Sequence, residues 1–106
     1  MSDTDAPEWH REWHELRSLL GCKWTLHVLR LLSTDSYGFN EIQRELDGLT
    51  PTMLSRRLTQ LTEYGLVNRE LIPDSPPRTR YELTETGVAF TEILRQLEQF
   101  TPLVEN

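Results

Sequence analysis

Thr50-Pro51-Thr52-Met53-Leu54-Ser55-Arg56-Arg57-Leu58-Thr59-Gln60-Leu61-Thr62-Glu63-Tyr64-Gly65 reads as one amphipathic helix with both of its ends marked. The Thr50 side chain can cap the first turn, and Pro51 suits that turn because no amide donor is needed there. Leu54, Leu58 and Leu61 recur at the spacing of a single buried stripe, and Gly65 after Tyr64 marks the stop. With the leucines fixing the inner side, a helical wheel turns Thr52, Arg56, Thr59 and Glu63 outward. Ser55 flanks that face on one side, Met53 and Gln60 on the other. The first two turns therefore offer solvent hydroxyls, an arginine and a thioether.

A second, shorter helix stands immediately upstream. Phe39 precedes Asn40, whose side chain can cap a helix, and Gln43 three residues on completes a capping-box pattern. Ile42 and Leu46 form its inner side, and Asp47-Gly48 ends it two residues before Thr50. Further upstream, Trp9, Trp13, Leu16 and Leu20 fall on one stripe of a first helix that Gly21 ends. Trp24 to Leu32 reads as another helix, with Val28, Leu29 and Leu32 inward, and Ser33 to Gly38 as a polar turn.

Downstream, Leu66 to Ile72 and Thr79 to Leu83 are extended, Val67 and Leu71 sharing one face and Tyr81 and Leu83 another. Pro73-Asp74-Ser75-Pro76-Pro77 between them can be neither helix nor central strand, so a hairpin with a stiff tip is expected. Thr84 caps a last helix that reaches about Phe100 and carries Phe90, Ile93, Leu94 and Leu97. The order is helix, helix, helix, tight turn, helix, hairpin, helix. It predicts a mainly α fold with a small β-hairpin (α+β): a winged helix-turn-helix with additional N- and C-terminal dimerisation helices. The expected organisation is a disordered lead over 1–7 and one domain over 8–100, then a tail over 101–106. Within the domain, the helix-turn-helix spans about 40–64, the wing about 66–83 and the last helix 85–100.

Composition narrows the classes. The chain has 106 residues, room for one core, and 37% of them are apolar, with no run near the ~20 residues a bilayer-spanning helix needs. The acidic start Met1-Ser2-Asp3-Thr4-Asp5 is not a signal-peptide pattern, and a single cysteine, Cys22, fits a reducing cytoplasm. No nucleophile–base pair or phosphate loop is evident, so no enzyme activity is expected. No metal site or other cofactor is expected either.

A net charge of −6 weighs against a polyanionic partner, but the charge is unevenly spread. Residues 51–80 hold Arg56, Arg57, Arg69, Arg78 and Arg80 against Glu63, Glu70 and Asp74, while the flanking stretches are acidic. A positive patch on an acidic body can orient the molecule on double-stranded DNA. Two short helices joined by a tight turn present the second to the major groove. There hydroxyls bond phosphate or base edges, Arg56 can fork onto guanine, and Met53 can touch thymine methyls. Thr52, Ser55, Arg56 and Thr59 are accordingly the expected readers, with Arg57 on phosphate. The stiff tip with Arg78 and Arg80 suits the backbone or the minor groove.

Several segments carry a family resemblance. They are Gly21-Cys22-Lys23-Trp24, Gly38-Phe39-Asn40-Glu41-Ile42, Leu54-Ser55-Arg56-Arg57-Leu58, Tyr64-Gly65-Leu66-Val67, and Pro76-Pro77-Arg78-Thr79-Arg80-Tyr81-Glu82-Leu83-Thr84-Glu85-Thr86-Gly87. In this order, over about residues 16–97, they resemble the HxlR-type winged-helix regulators of bacteria and archaea. The resemblance implies a homodimer, an operator with two half-sites, and control of nearby genes. It carries DNA contact onto the helix around Leu54–Leu58 and the wing around Pro76–Arg80. Cys22 stands where the family motif usually has a second glycine, and Gly38 where it usually has a basic residue. Several relatives sense oxidants through a cysteine in the first helix; this chain has none there.

The remaining features read more simply. Cys22 beside Lys23 fits a small packed residue better than a reactive thiol. His10 and His14, at i and i+4, lack a further ligand cluster nearby. Trp9, Trp13, Leu16 and Leu20 together with Phe90, Ile93, Leu97 and Phe100 exceed what so short a chain can bury, and pairing with a symmetry mate would cover them. The small-molecule effector, if one exists, is unspecified. The rival reading is a winged helix used for protein–protein contact without DNA, and acidity is its best argument. Lys23 is the only lysine, and so acidic a composition also predicts stability that rises with KCl.

Overall fold

A computed structural model describes residues 9–100, with Trp9 and His10 known by their backbone only. The expected lead and tail, and the side chains of Trp9 and His10, lie outside the described residues. The elements are α1 (Trp9–Gly21), α2 (Thr25–Leu32), β1 (Tyr37–Gly38), α3 (Phe39–Glu45), α4 (Pro51–Glu63), β2 (Val67–Ile72), β3 (Arg78–Leu83) and α5 (Glu85–Glu98). The strands form one antiparallel sheet in the order β1-β3-β2, with Val67 opposite Leu83 and Ile72 opposite Arg78 in the hairpin. The architecture is an α+β winged helix-turn-helix.

Its core is built on the inner residues read for α2, α3 and α4, whereas α1 contributes Leu19 rather than the expected stripe of Trp13, Leu16 and Leu20. Val28, Leu29, Ile42, Leu54 and Leu61 are wholly buried, with Leu58, Leu19, Leu66 and Val67 nearly so. Burial of side chains this size is worth about 1.5–3 kcal/mol each before entropy is charged against it, so these stripes fix how the helices lie. α4 has both expected ends. Thr50 Oγ1 accepts from the Met53 amide at 3.2 Å. At the other end Gly65 takes φ +76°, while its amide donates to the Thr62 carbonyl and that of Leu66 to Leu61, each at 3.0 Å. This pair of bonds satisfies the last carbonyls of the helix and needs a left-handed residue at position 65.

Four expectations are corrected. The stretch 33–38 is not all turn: Tyr37 and Gly38 form β1, opposite Tyr81 and Arg80 of β3, so the hairpin is a three-stranded sheet. A two-residue strand shows no alternation of its own, which is why it is silent in the sequence. Asn40 does not cap α3; Gly38 takes that position, and its amide donates to Glu41 Oε1 at 2.7 Å. Gln43 turns instead to the Leu49 carbonyl, 3.4 Å away. Trp24 precedes α2 rather than opening it, at φ 80°. Leu71 shares a face with Val67 but is 64% exposed, because β2 is covered only at its start.

The last helix is locked to the end of α4. Thr84 Oγ1 donates to the Gly65 carbonyl at 2.6 Å and accepts from the Gly87 amide at 3.0 Å. A Cβ at Gly87 would overlap the Leu66 carbonyl oxygen, so this close crossing requires glycine.

Candidate nucleic-acid interface

Thr52, Ser55, Arg56 and Thr59 lie exposed along one side of α4, lining a single shallow surface with Pro51, Gln60 and Glu63. The opposite side is held by the three leucines, so the helix cannot rotate without uncovering them. The expected readers are therefore brought together on one accessible face. Two companions differ from them. Met53 is half-buried and packs against the core, and Arg57 is half-buried, with its Nε enclosed and its Nη1 3.4 Å from Gln60 Oε1.

The wing arginines are accounted for in a way the sequence did not indicate. Arg78 Nη2 stands 2.8 Å from Asp74 Oδ2 across the wing tip. Arg80 is half-buried: its Nε donates to Ser36 Oγ at 2.8 Å and its Nη2 to the Ser36 carbonyl at 3.0 Å. Its Nη1 lies 3.6 Å from Glu41 Oε1, the same oxygen that takes the Gly38 amide. Arg80 thus ties the wing to the residue just before β1 and to the first turn of α3. Arg69, on β2, borders a cleft with Ser55, Thr59 and Tyr81 between the wing and α4.

Sequence reasoning passed over Arg44. It lies on α3 and lines a cleft with Arg78 and Arg80. Its signal was present: Asn40 and Arg44, at i and i+4, both fall on the side of α3 away from Ile42.

The other tempting residues are quiet. Cys22 is half-buried and its thiol donates to the Ser18 carbonyl at 3.2 Å. No group of three or more metal-ligating side chains forms among the described residues. No helix among them is long and apolar enough to cross a membrane.

Residues 19–104 match the family model described as HxlR-like helix-turn-helix. The chain belongs to this HxlR-like family. An HTH-type transcriptional regulator of Methanothermobacter thermautotrophicus is 42% identical over 78 residues, which are 74% of this chain and 60% of that protein. The HTH-type transcriptional regulator YodB of Bacillus subtilis is 30% identical over 81 residues, 76% of this chain and 72% of YodB. The solved structure of reduced YodB superposes on this HxlR-like chain with a TM-score of 0.76 at 27% identity, covering 84% of this chain and 87% of that one. The HxlR-like chain thus spans about three fifths of the Methanothermobacter protein and most of YodB.

The apolar residues expected at a dimer interface divide into two groups. Trp13, Ile93, Leu97 and Phe100 are 54–58% exposed, and Leu16 is also exposed. Phe90 packs against the protomer's own core, and Leu20 is half-buried.

Proposed function

We propose that this chain is a transcription regulator that binds double-stranded DNA sequence-specifically, as a homodimer on an operator with two half-sites. The observation that carries the reading is the α4 face: Thr52, Ser55, Arg56 and Thr59 stand together in solvent while Leu54, Leu58 and Leu61 fix the back of the helix. Arginine reads guanine and hydroxyls read phosphate or base edges, and in this fold the second helix of the pair enters the major groove. Arg57 and the wing arginines Arg78 and Arg80 supply backbone contacts, and Met53 an apolar edge. Membership of a family of transcriptional regulators supports the same assignment, and with it a protein that acts in the cytoplasm and catalyses no reaction.

The dimer reading rests on α1 and α5. Trp13, Leu16, Ile93, Leu97 and Phe100 offer an exposed apolar surface of the kind that subunit contacts cover. Pairing through these helices, Trp9 and Leu20 included, would set two copies of α4 one DNA turn (~34 Å) or a multiple of it apart.

A gel shift with duplex fragments from upstream of the chain's own gene, repeated across a salt series, tests the proposal. Binding that weakens steeply with salt is expected, since phosphate neutralisation releases counterions. Absence of any shift at low salt would favour the protein–protein reading, for which the net charge of −6 is the specific argument.

A further inference from the structure

A polar cleft of about 360 Å³ lies between the start of α3 and the wing, and three of the side chains around it are arginines: Arg44, Arg78 and Arg80. In the free protein two of the three are engaged. Arg78 pairs with Asp74 at 2.8 Å, and Arg80 is anchored by Ser36 with Glu41 at 3.6 Å. Arg44 is exposed and has no ion pair among the described residues. Here the positive charge exceeds the negative, and Glu41 is already committed to the Gly38 amide.

Guanidinium groups converging on one open cleft recognise an oxyanion, and planar forked donors suit phosphate best. The cleft opens between the wing and the first helix of the helix-turn-helix, the elements that run beside the sugar–phosphate backbone when the second helix sits in the major groove. We propose that this cleft grips the backbone of double-stranded DNA, with Arg44 as a phosphate contact and with Asp74 and Glu41 occupying the wing arginines until phosphate replaces them. The inference rests on the DNA-binding reading above. It gives the two carboxylates a purpose: they raise the cost of binding any duplex by the same amount, so occupancy of unspecific DNA falls while the ratio between sequences stays with α4.

The test is fluorescence anisotropy with two labelled duplexes, one bound specifically and one scrambled, across KCl from about 50 to 200 mM. Arg44→Ala is expected to weaken both duplexes by the same factor. Its log–log salt slope should be shallower by about 0.9, so that its affinity falls roughly three- to fourfold less across the series. Asp74→Asn is expected to tighten both duplexes. Arg95→Ala removes the same charge from α5, outside the cleft, and is expected to leave the slope unchanged. If Arg95→Ala matched Arg44→Ala, net charge alone would be at work and the cleft would be overturned. Displacement of duplex by millimolar inorganic phosphate at constant ionic strength would overturn it too, as a site for free anions. If wild type binds and Arg56→Ala weakens binding while Arg44→Ala alters neither affinity nor slope, this inference falls alone. If wild type binds no duplex, the DNA-binding reading falls with it.

Discussion

Arg80 shows how one side chain can serve the scaffold and the surface together. It donates twice to Ser36, stands beside Glu41, and is half-buried between the wing and α3. Its loss should therefore do two things, whereas loss of Arg56, exposed on α4, should do one. Arg80→Ala is expected to weaken binding to all duplexes and to lower stability by about 1 kcal/mol, the scale of a partly screened charged hydrogen bond. Urea titration and anisotropy on the same preparation separate the two effects. Arg56→Ala should leave the urea midpoint unchanged and remove about 1–3 kcal/mol of discrimination at one base pair in each half-site. At Gly87 the expectation is purely structural. Gly87→Ala puts a methyl group into the Leu66 carbonyl, so a loss of about 3 kcal/mol or outright misfolding is expected by thermal melt. An unchanged melting temperature would mean that the α4–α5 junction is looser than described. Thr50→Ala removes the acceptor of the Met53 amide and should cost about 1 kcal/mol.

At the scale of elements, what could be read from the sequence depended on length and on caps. α4 was fully legible because its ends are chemical, a threonine–proline start and a glycine stop, and its stripe is three leucines long. β1 was not, since two residues have no periodicity and its pairing with β3 is a tertiary fact. The cap of α3 lies two residues before the one the sequence suggests: asparagine is the better capping side chain, yet Gly38 lies in the extended conformation and Glu41 reaches back to its amide. At the candidate site, the outward face of α4 follows from the position of its leucines alone. The engagement of Arg78 and Arg80 does not, because their partners come from the wing tip, from the turn before β1 and from α3. For Arg44 the sequence shows only the outward face of α3, not the cleft, because its neighbours there lie 34 and 36 positions away. The leucine stripe also carries a prediction: Leu58→Ala should destabilise the fold by roughly 2–5 kcal/mol and, by loosening the platform, weaken specific DNA more than scrambled DNA. Equal weakening on both duplexes would separate the helix's anchorage from its reading of sequence.

For the whole molecule, charge and exposed apolar surface set the expectations. An acidic body with net charge −6 repels itself, and salt screens that repulsion, so melting temperature should climb with KCl toward molar concentration. A flat or falling curve would contradict this. Ile93 and Leu97, both more than half exposed on α5, belong to the proposed subunit contact. Leu97→Glu should convert a dimer in light scattering to a monomer and reduce operator affinity far more than the affinity for a single half-site. A wild-type protein that is monomeric at micromolar concentration would remove the dimer altogether.

The most direct test of the α4 face is parallel selection from a random duplex pool by wild type and by Arg56→Ala. Wild type should enrich two half-sites about one helical turn apart, or a multiple of it, and the variant should lose a guanine preference at one position in each. Recovery of the same motif by both proteins, or of no motif by wild type, would contradict the assignment of α4 as the reading helix.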